Sequence, residues 1–302
     1  MYMKRIQIAE NLEFSQIIHG LWRLSEWKMT SEQLVTFIDE CIDLGITTFD
    51  HADIYGGYTC EEIFGKALAL KPELREKIQI VTKCGIKLKS SKFPELKMNH
   101  YDTSKEHILM SVNNSLENLQ TDYIDLLLIH RPNPFMNPKE IAEAFNQLHS
   151  EGKVRHFGVS NFLPSQFNAL QAYLNMPLVT NQIEVSPMQL EHFEKGTIDL
   201  LLEKDIAPMI WSPLAGGQIF TSQSESALRV RAMLEEISSE IGANSIDEVM
   251  YAWLLAHPAK MMPIVGSGKI ERVKTAVEST KLSMSAEQWL RIYVAGMGHN
   301  LP

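Results

Sequence analysis

The sequence predicts an α/β fold, a (β/α)8 TIM barrel with a short N-terminal hairpin before it and an extra C-terminal helix after it. Three observations carry the prediction. Eight apolar, strand-like runs alternate with amphipathic helical stretches along the 302 residues, and near-continuous apolar strands belong to parallel sheets covered on both faces. Eight such units over about 250 residues match the span of a closed barrel. An open doubly wound sheet, the competing architecture, should carry a Gly-x-Gly-x-x-Gly turn after an early strand, and the sequence has none.

The elements follow in order. "KRIQIA" and "LEFS" read as the hairpin, and "QIIHGL" at Gln16–Leu21 as the first barrel strand. In the next helix Leu34, Phe37, Ile38 and Cys41 recur at i, i+3, i+4 and i+7, the spacing of one buried face. Thr30 with Gln33 suits a capping box at its start, and Gly45 a stop at its end. Strands two to eight are "TTFD" (Thr47–Asp50), "IQIVTK" (Ile78–Lys83), "IDLLLIH" (Ile124–His130), "VRHFGVS" (Val154–Ser160), "VTNQIE" (Val179–Glu184), "APMIW" (Ala207–Trp211) and "MMPIVG" (Met261–Gly266). Thr103 and Glu106 are expected to box the start of a helix whose apolar stripe is Ile108, Val112, Leu116 and Leu119. Pro138 suits the first turn of another, carrying Ile141, Ala144, Phe145 and Leu148 and stopping at Gly152. A final helix over about 285–294 packs outside the barrel. No Pro/Gly/Ser-rich linker, short-period repeat or low-complexity tract divides the chain, so residues 1–302 are expected to form a single domain.

Composition narrows the class of function. Hydrophobic residues make up 45% and charged residues 22%, an ordinary globular balance. The net charge of −9, from 28 basic and 37 acidic residues, argues against a general nucleic-acid or acidic-membrane surface. Cys41, Cys60 and Cys84 are odd in number and form no Cys-x-x-Cys pair, so neither a disulfide framework nor a structural zinc site is expected. "MYMKRIQIAENLEF" lacks the apolar core of a signal peptide, and no apolar run approaches about 18 residues. A cytoplasmic protein is expected, with no membrane or nucleic-acid partner.

Catalytic groups of such a barrel come from the C-terminal ends of its strands. Strand two ends in Asp50 with Tyr55 in its loop, the third in Lys83 and the fourth in His130. Strand five supplies Ser160 and Asn161, strand six Asn181, Gln182 and Glu184, strand seven Trp211 and Ser212, and strand eight "GSGK". Singly, each has an ordinary explanation: a lysine or histidine where a strand meets water, an aspartate capping a turn, an aromatic packed on a loop. Together, the groups at three adjacent strand ends have complementary chemistry. A tyrosine of ordinary pKa, about 10, is a poor proton donor near neutrality; a neighbouring ammonium favours the phenolate. A carboxylate orients that ammonium, and a histidine beside the phenol donates a hydrogen bond to a substrate oxygen. Such a set protonates a developing alkoxide. It supplies no electron pair, so a hydride carrier must bind beside it.

"GLW" (Gly20–Trp22), "FDHADIYG" (Phe49–Gly56), "VTKCG" (Val81–Gly85), "LLLIHRP" (Leu126–Pro132), "GVSNF" (Gly158–Phe162), "NQIE" (Asn181–Glu184), "WSPLAGG" (Trp211–Gly217) and "PIVGSGKIERV" (Pro263–Val273) occur in one order. That series resembles the aldo-keto reductases, NADP(H)-dependent enzymes on a (β/α)8 barrel, from Ile17 to about Val277. The resemblance implies that Tyr55 is the general acid/base, that Asp50 supports Lys83, that Lys83 lowers the tyrosine pKa, and that His130 orients a carbonyl. Asp53 has no counterpart in that tetrad and reads as a turn residue.

The resemblance extends to a cofactor, NADP(H). Ser160, Asn161 and Gln182 match residues that hydrogen-bond the nicotinamide carboxamide, and Trp211 matches an aromatic against which the ring stacks, a tryptophan where relatives carry tyrosine. Ser212, Pro213, Leu214, Gly216 and Gly217 fall in a loop over the pyrophosphate, where backbone N–H groups approach oxygen. Gly266, Ser267, Lys269 and Arg272 fall at the adenosine 2′-phosphate, while Thr275 and Ala276 depart from the Glu-Asn pair of some relatives. Gly20 and Trp22, at the end of strand one and just past it, complete the cofactor-side set, and Trp22 and Trp27 are candidate walls of the substrate pocket. Cys84 reads as a buried, inert thiol. The chain therefore reads as an NADPH-dependent reductase of a small-molecule carbonyl. The rival is an NADP(H)-binding redox-sensing or regulatory subunit with little turnover. A metal-dependent hydrolase would need a carboxylate/histidine cluster, and no metal site is expected.

Overall fold

A computed structural model describes residues 3–301 of the chain. The strands are β1 (Arg5–Ala9), β2 (Leu12–Ser15), β3 (Ile18–Gly20), β4 (Thr48–Asp50), β5 (Gln79–Cys84), β6 (Ile86–Lys87), β7 (His100–Tyr101), β8 (Ile124–Ile129), β9 (Val154–Ser160), β10 (Leu178–Glu184), β11 (Met209–Trp211) and β12 (Met262–Val265). Eight of them, in the order β3-β4-β5-β8-β9-β10-β11-β12, close into a barrel. Every neighbouring pair is parallel, including the closing pair β12–β3. Helices lie between the strands, so this is the (β/α)8 barrel that the apolar runs predict.

Its interior is a packed core. Ile18, Val81, Leu126, Leu128, Val179, Met209 and Ile264 point inward, and the antiparallel β1–β2 hairpin closes the N-terminal end with Ile6, Leu12 and Phe14. Outside, three apolar clusters seal helices against strands. The predicted stripes are the buried faces: Leu34, Phe37, Ile38 and Cys41 in helix Ser31–Asp43, and Ile141, Ala144, Phe145 and Leu148 in helix Pro138–Ser150. Thr30 and Gln33 form the reciprocal capping box, which satisfies two otherwise unpaired N–H groups. Gly45 and Gly152, left-handed at φ 87° and 70°, follow their helices. Helix Ala286–Met297 packs outside, where Trp289 stacks on Trp253 at 4.9 Å and each indole N–H reaches the other residue's carbonyl.

One expectation is corrected. Helix Lys105–Leu119 is capped by Ser104, not Thr103: Ser104 Oγ accepts from the His107 N–H, while Thr103 is buried. Asp102 accepts from both the N–H and the hydroxyl of Ser104, which fixes the extended residue one position later than the Thr103–Glu106 pattern places it. The segment Lys87–Tyr101 also carries an extra antiparallel ladder, β6–β7; strands of two residues are too short to show a period.

Candidate active site

The barrel's C-terminal mouth is assembled from strand ends. After Asp50 the chain keeps its ladder to β5 for three more residues, with His51 N–H on the Val81 carbonyl at 2.8 Å and Asp53 N–H on the Lys83 carbonyl at 3.0 Å. It then turns through Gly56, Gly57 and Tyr58, all left-handed with φ of 60°, 65° and 73°, where glycine is the residue that adopts such angles without strain. This turn brings Tyr55 back over Lys83. The fully buried Lys83 ammonium donates to both Asp50 carboxylate oxygens at 2.8 Å, to the His51 carbonyl at 2.6 Å and to Tyr55 Oη at 3.1 Å. His130, one residue past β8, sets its ring edge-on to Tyr55 with centroids 6.0 Å apart. Asp50, Tyr55, Lys83 and His130 are therefore one cluster, as the strand-end pattern predicts.

Burial and charge set the protonation states. Burial raises the Asp50 pKa, although Lys83 and Gln182 hold it back. Burial opposes the Lys83 charge, but Asp50 and Tyr55 outweigh it and the net direction is up. For Tyr55, burial is again the largest influence and raises the pKa; Lys83 acts in the predicted downward direction without reversing it. His130 is held well below the ordinary histidine value by burial and by the cations Lys83 and Arg131. Near neutrality the mouth thus presents a protonated phenol on an ammonium, beside a neutral imidazole. His130 Nδ1 is buried without a partner among the described residues.

On the neighbouring strands, Ser160 Oγ–H donates to the Gln182 carbonyl at 2.9 Å, Asn161 donates to Ser160 Oγ at 2.8 Å, and Trp211 Nε1–H donates to Asn161 Oδ1 at 3.0 Å. Asn161 occupies the left-handed region, φ 61°. The Gln182 amide also donates to Asp50 Oδ1 at 2.7 Å and ties this group to the tetrad. The Arg131 guanidinium lies 5.4 Å from the Trp211 ring centroid.

The loop after β11 turns through Ser212 (φ 49°), Ala215 (φ 52°), Gly216 (φ 63°) and Gly217 (φ 88°). Added Cβ atoms at Gly216 and Gly217 would meet nothing within 4 Å, so these glycines serve the turn's backbone angles. Pro213 is buried and Leu214 packs into two outer clusters. At Gly20 a Cβ would lie 2.6 Å from Ile264, which makes Gly20 a point of close strand approach. Beyond β12, Ser267 Oγ accepts from the Lys269 N–H at 3.2 Å, and the Ser267 carbonyl meets His19 Nε2 at 3.1 Å. Lys269 and Arg272 are exposed at the start of helix Ile270–Glu278, and Gly266 is exposed just before it. No ion pair engages either cation among the described residues. A helix N-terminus flanked by two such cations suits a phosphate.

Trp22 is 61% exposed, with Arg23 over its ring. Trp27, the other candidate wall, packs edge-on against His19 and beneath Gly268, bracing the Ser267–Lys269 loop. Cys84 is buried, and its thiol pKa is pushed well up by burial and by Asp53 and Glu61. Asp53 lies in the turn but is also buried, and its carboxylate accepts from Ser111 Oγ–H. Sequence reading missed the Gln182–Asp50 bond, the Ser111 bond and the brace at Gly268; each joins segments distant in the chain, and no local spacing announces them. Among the described residues no group of three or more His, Cys, Asp or Glu could hold a metal ion, and no helix is long and apolar enough to cross a membrane.

Comparison with known proteins agrees with this geometry. The profile described as the Aldo/keto reductase family matches residues 16–294. The chain is 58% identical over 300 residues to the uncharacterized oxidoreductase YcsN of Bacillus subtilis, covering 99% of this chain and 100% of that one. It is 42% identical over 297 residues to a 6-dehydroglucose reductase of Agrobacterium fabrum, covering 98% and 99%. Among solved structures, the thermostable aldo-keto reductase Tm1743, in complex with the inhibitor epalrestat, superposes with a TM-score of 0.82 at 26% identity, over 97% of this chain and 100% of that one.

Proposed function

The chain belongs to the aldo/keto reductase family, and from that premise we propose that it is an NADPH-dependent reductase of a small aldehyde or ketone, with Tyr55 as the proton donor. The observation that carries the reading is the single ammonium of Lys83 shared between Asp50 at 2.8 Å and Tyr55 Oη at 3.1 Å. In the reducing direction Tyr55 gives its proton to the carbonyl oxygen as negative charge develops there. Lys83 stabilises the phenolate left behind, and Asp50 keeps Lys83 charged and aimed. Neutral His130 donates a hydrogen bond to the same oxygen and fixes its position. Run backwards, the same groups accept a proton from an alcohol.

The donor set fits a nicotinamide dinucleotide phosphate: amide and hydroxyl groups at Ser160, Asn161 and Gln182, a half-buried indole at Trp211, N–H groups in the Ser212–Gly217 turn, and cations at Lys269 and Arg272. NADPH held there supplies the hydride that no side chain can give. Arginine grips phosphate bidentately, so Arg272, with Lys269 and Ser267, selects the 2′-phosphate. The name of the Agrobacterium relative makes a dehydro-sugar the first physiological substrate to try.

The test is oxidation of NADPH and of NADH by 4-nitrobenzaldehyde and by 6-dehydroglucose, with wild type and Arg272→Ala side by side. The variant should bind NADPH roughly 10- to 100-fold more weakly, the weight of a charged hydrogen bond, with NADH little changed. Equal loss for both dinucleotides would remove Arg272 from the 2′-phosphate site. Tight NADPH binding with no turnover of any carbonyl would replace the reductase reading with a redox-sensing subunit.

A further inference from the structure

Tyr55 stands between Asp53, whose N–H makes the last backbone bond to β5, and three consecutive left-handed residues, and the backbone bonds of the turn are made within it. Two buried carboxyl groups lie beneath that turn. Asp53, 7% exposed, sits two residues before Tyr55, and its Oδ2 accepts from Ser111 Oγ–H on helix Lys105–Leu119. Its own N–H is bound to the Lys83 carbonyl at 3.0 Å. Glu61, 1% exposed, accepts from the hydroxyl of Thr82, the residue before Lys83, at 2.6 Å. Asp53 Oδ1 and Glu61 Oε2 are buried with no hydrogen-bond partner among the described residues. A carboxyl whose only task is to turn the chain belongs in water, because burying it is expensive. Here the side chain reaches inward to a helix and the backbone to the strand that bears Lys83.

We propose that Asp53 is a positioning residue for the proton donor: bound to Ser111 by its side chain and to the Lys83 carbonyl by its N–H, it fixes the turn so that Tyr55 Oη rests on the Lys83 ammonium. The proposal rests on the reductase reading of Tyr55. Its physical basis is leverage. Asp53 is the last residue before the turn whose backbone is tied to β5. The backbone bonds of Tyr55, its N–H on the Ala52 carbonyl at 3.1 Å and its carbonyl accepting from the Thr59 and Cys60 N–H groups at 3.1 and 3.2 Å, stay within the turn and do not reach that strand. Without the Ser111 bond, Asp50 and Lys83 stay paired while the phenol gains freedom to drift. A drift of about 1 Å costs on the order of 100-fold in rate.

Asp53→Ala, Asp53→Asn, Ser111→Ala and Tyr55→Phe, with the double variants, test it on the full chain with NADPH and 4-nitrobenzaldehyde. Asn keeps an acceptor for the Ser111 hydroxyl and should restore most of the rate. Asp53→Ala and Ser111→Ala should each lower kcat roughly 10- to 100-fold with the NADPH Kd within about twofold. The solvent deuterium isotope effect on kcat should rise, because proton transfer becomes limiting. The Ala/Ala double variant should be no slower than Asp53→Ala, since both act through one bond, and Asp53→Ala should cost nothing further in a Tyr55→Phe background. Unchanged kcat in both Ala variants, or an equal further loss in the Tyr55→Phe background, would overturn the proposal. If Asp53→Ala does not fold, Ser111→Ala carries the same test. Failure of the underlying reading shows separately: a Tyr55→Phe variant that keeps its rate removes Tyr55 as the proton donor, and a wild type that turns over no carbonyl removes the reductase.

Discussion

At the scale of residues, the site sets protonation states by burial and corrects them by pairing. Asp53 gives the clearest pH signature. Its pKa is raised to about 7 by burial and by Glu61, against the Ser111 bond and Lys92. The groups facing it are Glu61 from one helix, Ser111 and His107 from another, Cys84 from β5, Tyr58 from its own turn and Lys92 from the loop after β6. The folded state therefore favours the protonated acid. Its stabilisation is fully present below the unfolded value of 3.8 and is lost as pH rises through about 7, a swing on the order of 4 kcal/mol. Asp53→Asn removes this dependence, so the variant should gain stability relative to wild type as pH rises from about 4 to about 7 in urea unfolding. Taking the difference cancels His107, which is destabilised as a cation by burial in both proteins. Parallel stability–pH curves would show that Asp53 does not titrate there. Asp50, Lys83 and His130 were legible because each lies at the end of a recognisable strand, and Tyr55 because it lies in the loop that follows Asp50. The bond to Ser111, 58 residues along the chain, leaves no pattern in the sequence.

At the scale of elements, the loop after β12 is held from below by an indole. A Cβ on Gly268 would lie 2.5 Å from Trp27 Cδ2. The ring has little room to move, being packed edge-on against His19 at 5.7 Å and tilted on Phe37 at 5.8 Å. Overpacking of this kind costs about 1–3 kcal/mol, and the loop is the part free to yield. Gly268→Ala should therefore displace Ser267 and Lys269 and weaken NADPH binding about 10-fold, read by fluorescence titration. A second substitution, Trp27→Phe, should restore part of it; loss without rescue would mean that the brace is not the cause. The barrel strands were legible because burial on both faces leaves unbroken apolar runs, as in "IDLLLIH". The β6–β7 ladder was not, since two-residue strands leave no alternation to read. Ser104 displaced Thr103 as a helix cap because Asp102 fixes the chain one residue later.

At the scale of the whole molecule, closure of the barrel makes a site from residues that the sequence scatters. Asp50 and Gln182 are 132 residues apart and meet at 2.7 Å because β4 and β10 stand on opposite sides of a narrow ring. The hairpin residues Ile6, Leu12 and Phe14 cover the packed core at the opposite end, and the tetrad stands at the C-terminal mouth. The central claim is that this mouth delivers a proton from Tyr55 to a carbonyl oxygen. The most direct measurement is the single-turnover rate of NADPH oxidation by 4-nitrobenzaldehyde, for wild type and Tyr55→Phe, with NADPH affinity measured on the same samples. A fall of about 10²- to 10⁴-fold in the variant, with NADPH still bound, is the predicted result; a variant that reduces the aldehyde at the wild-type rate would contradict the account.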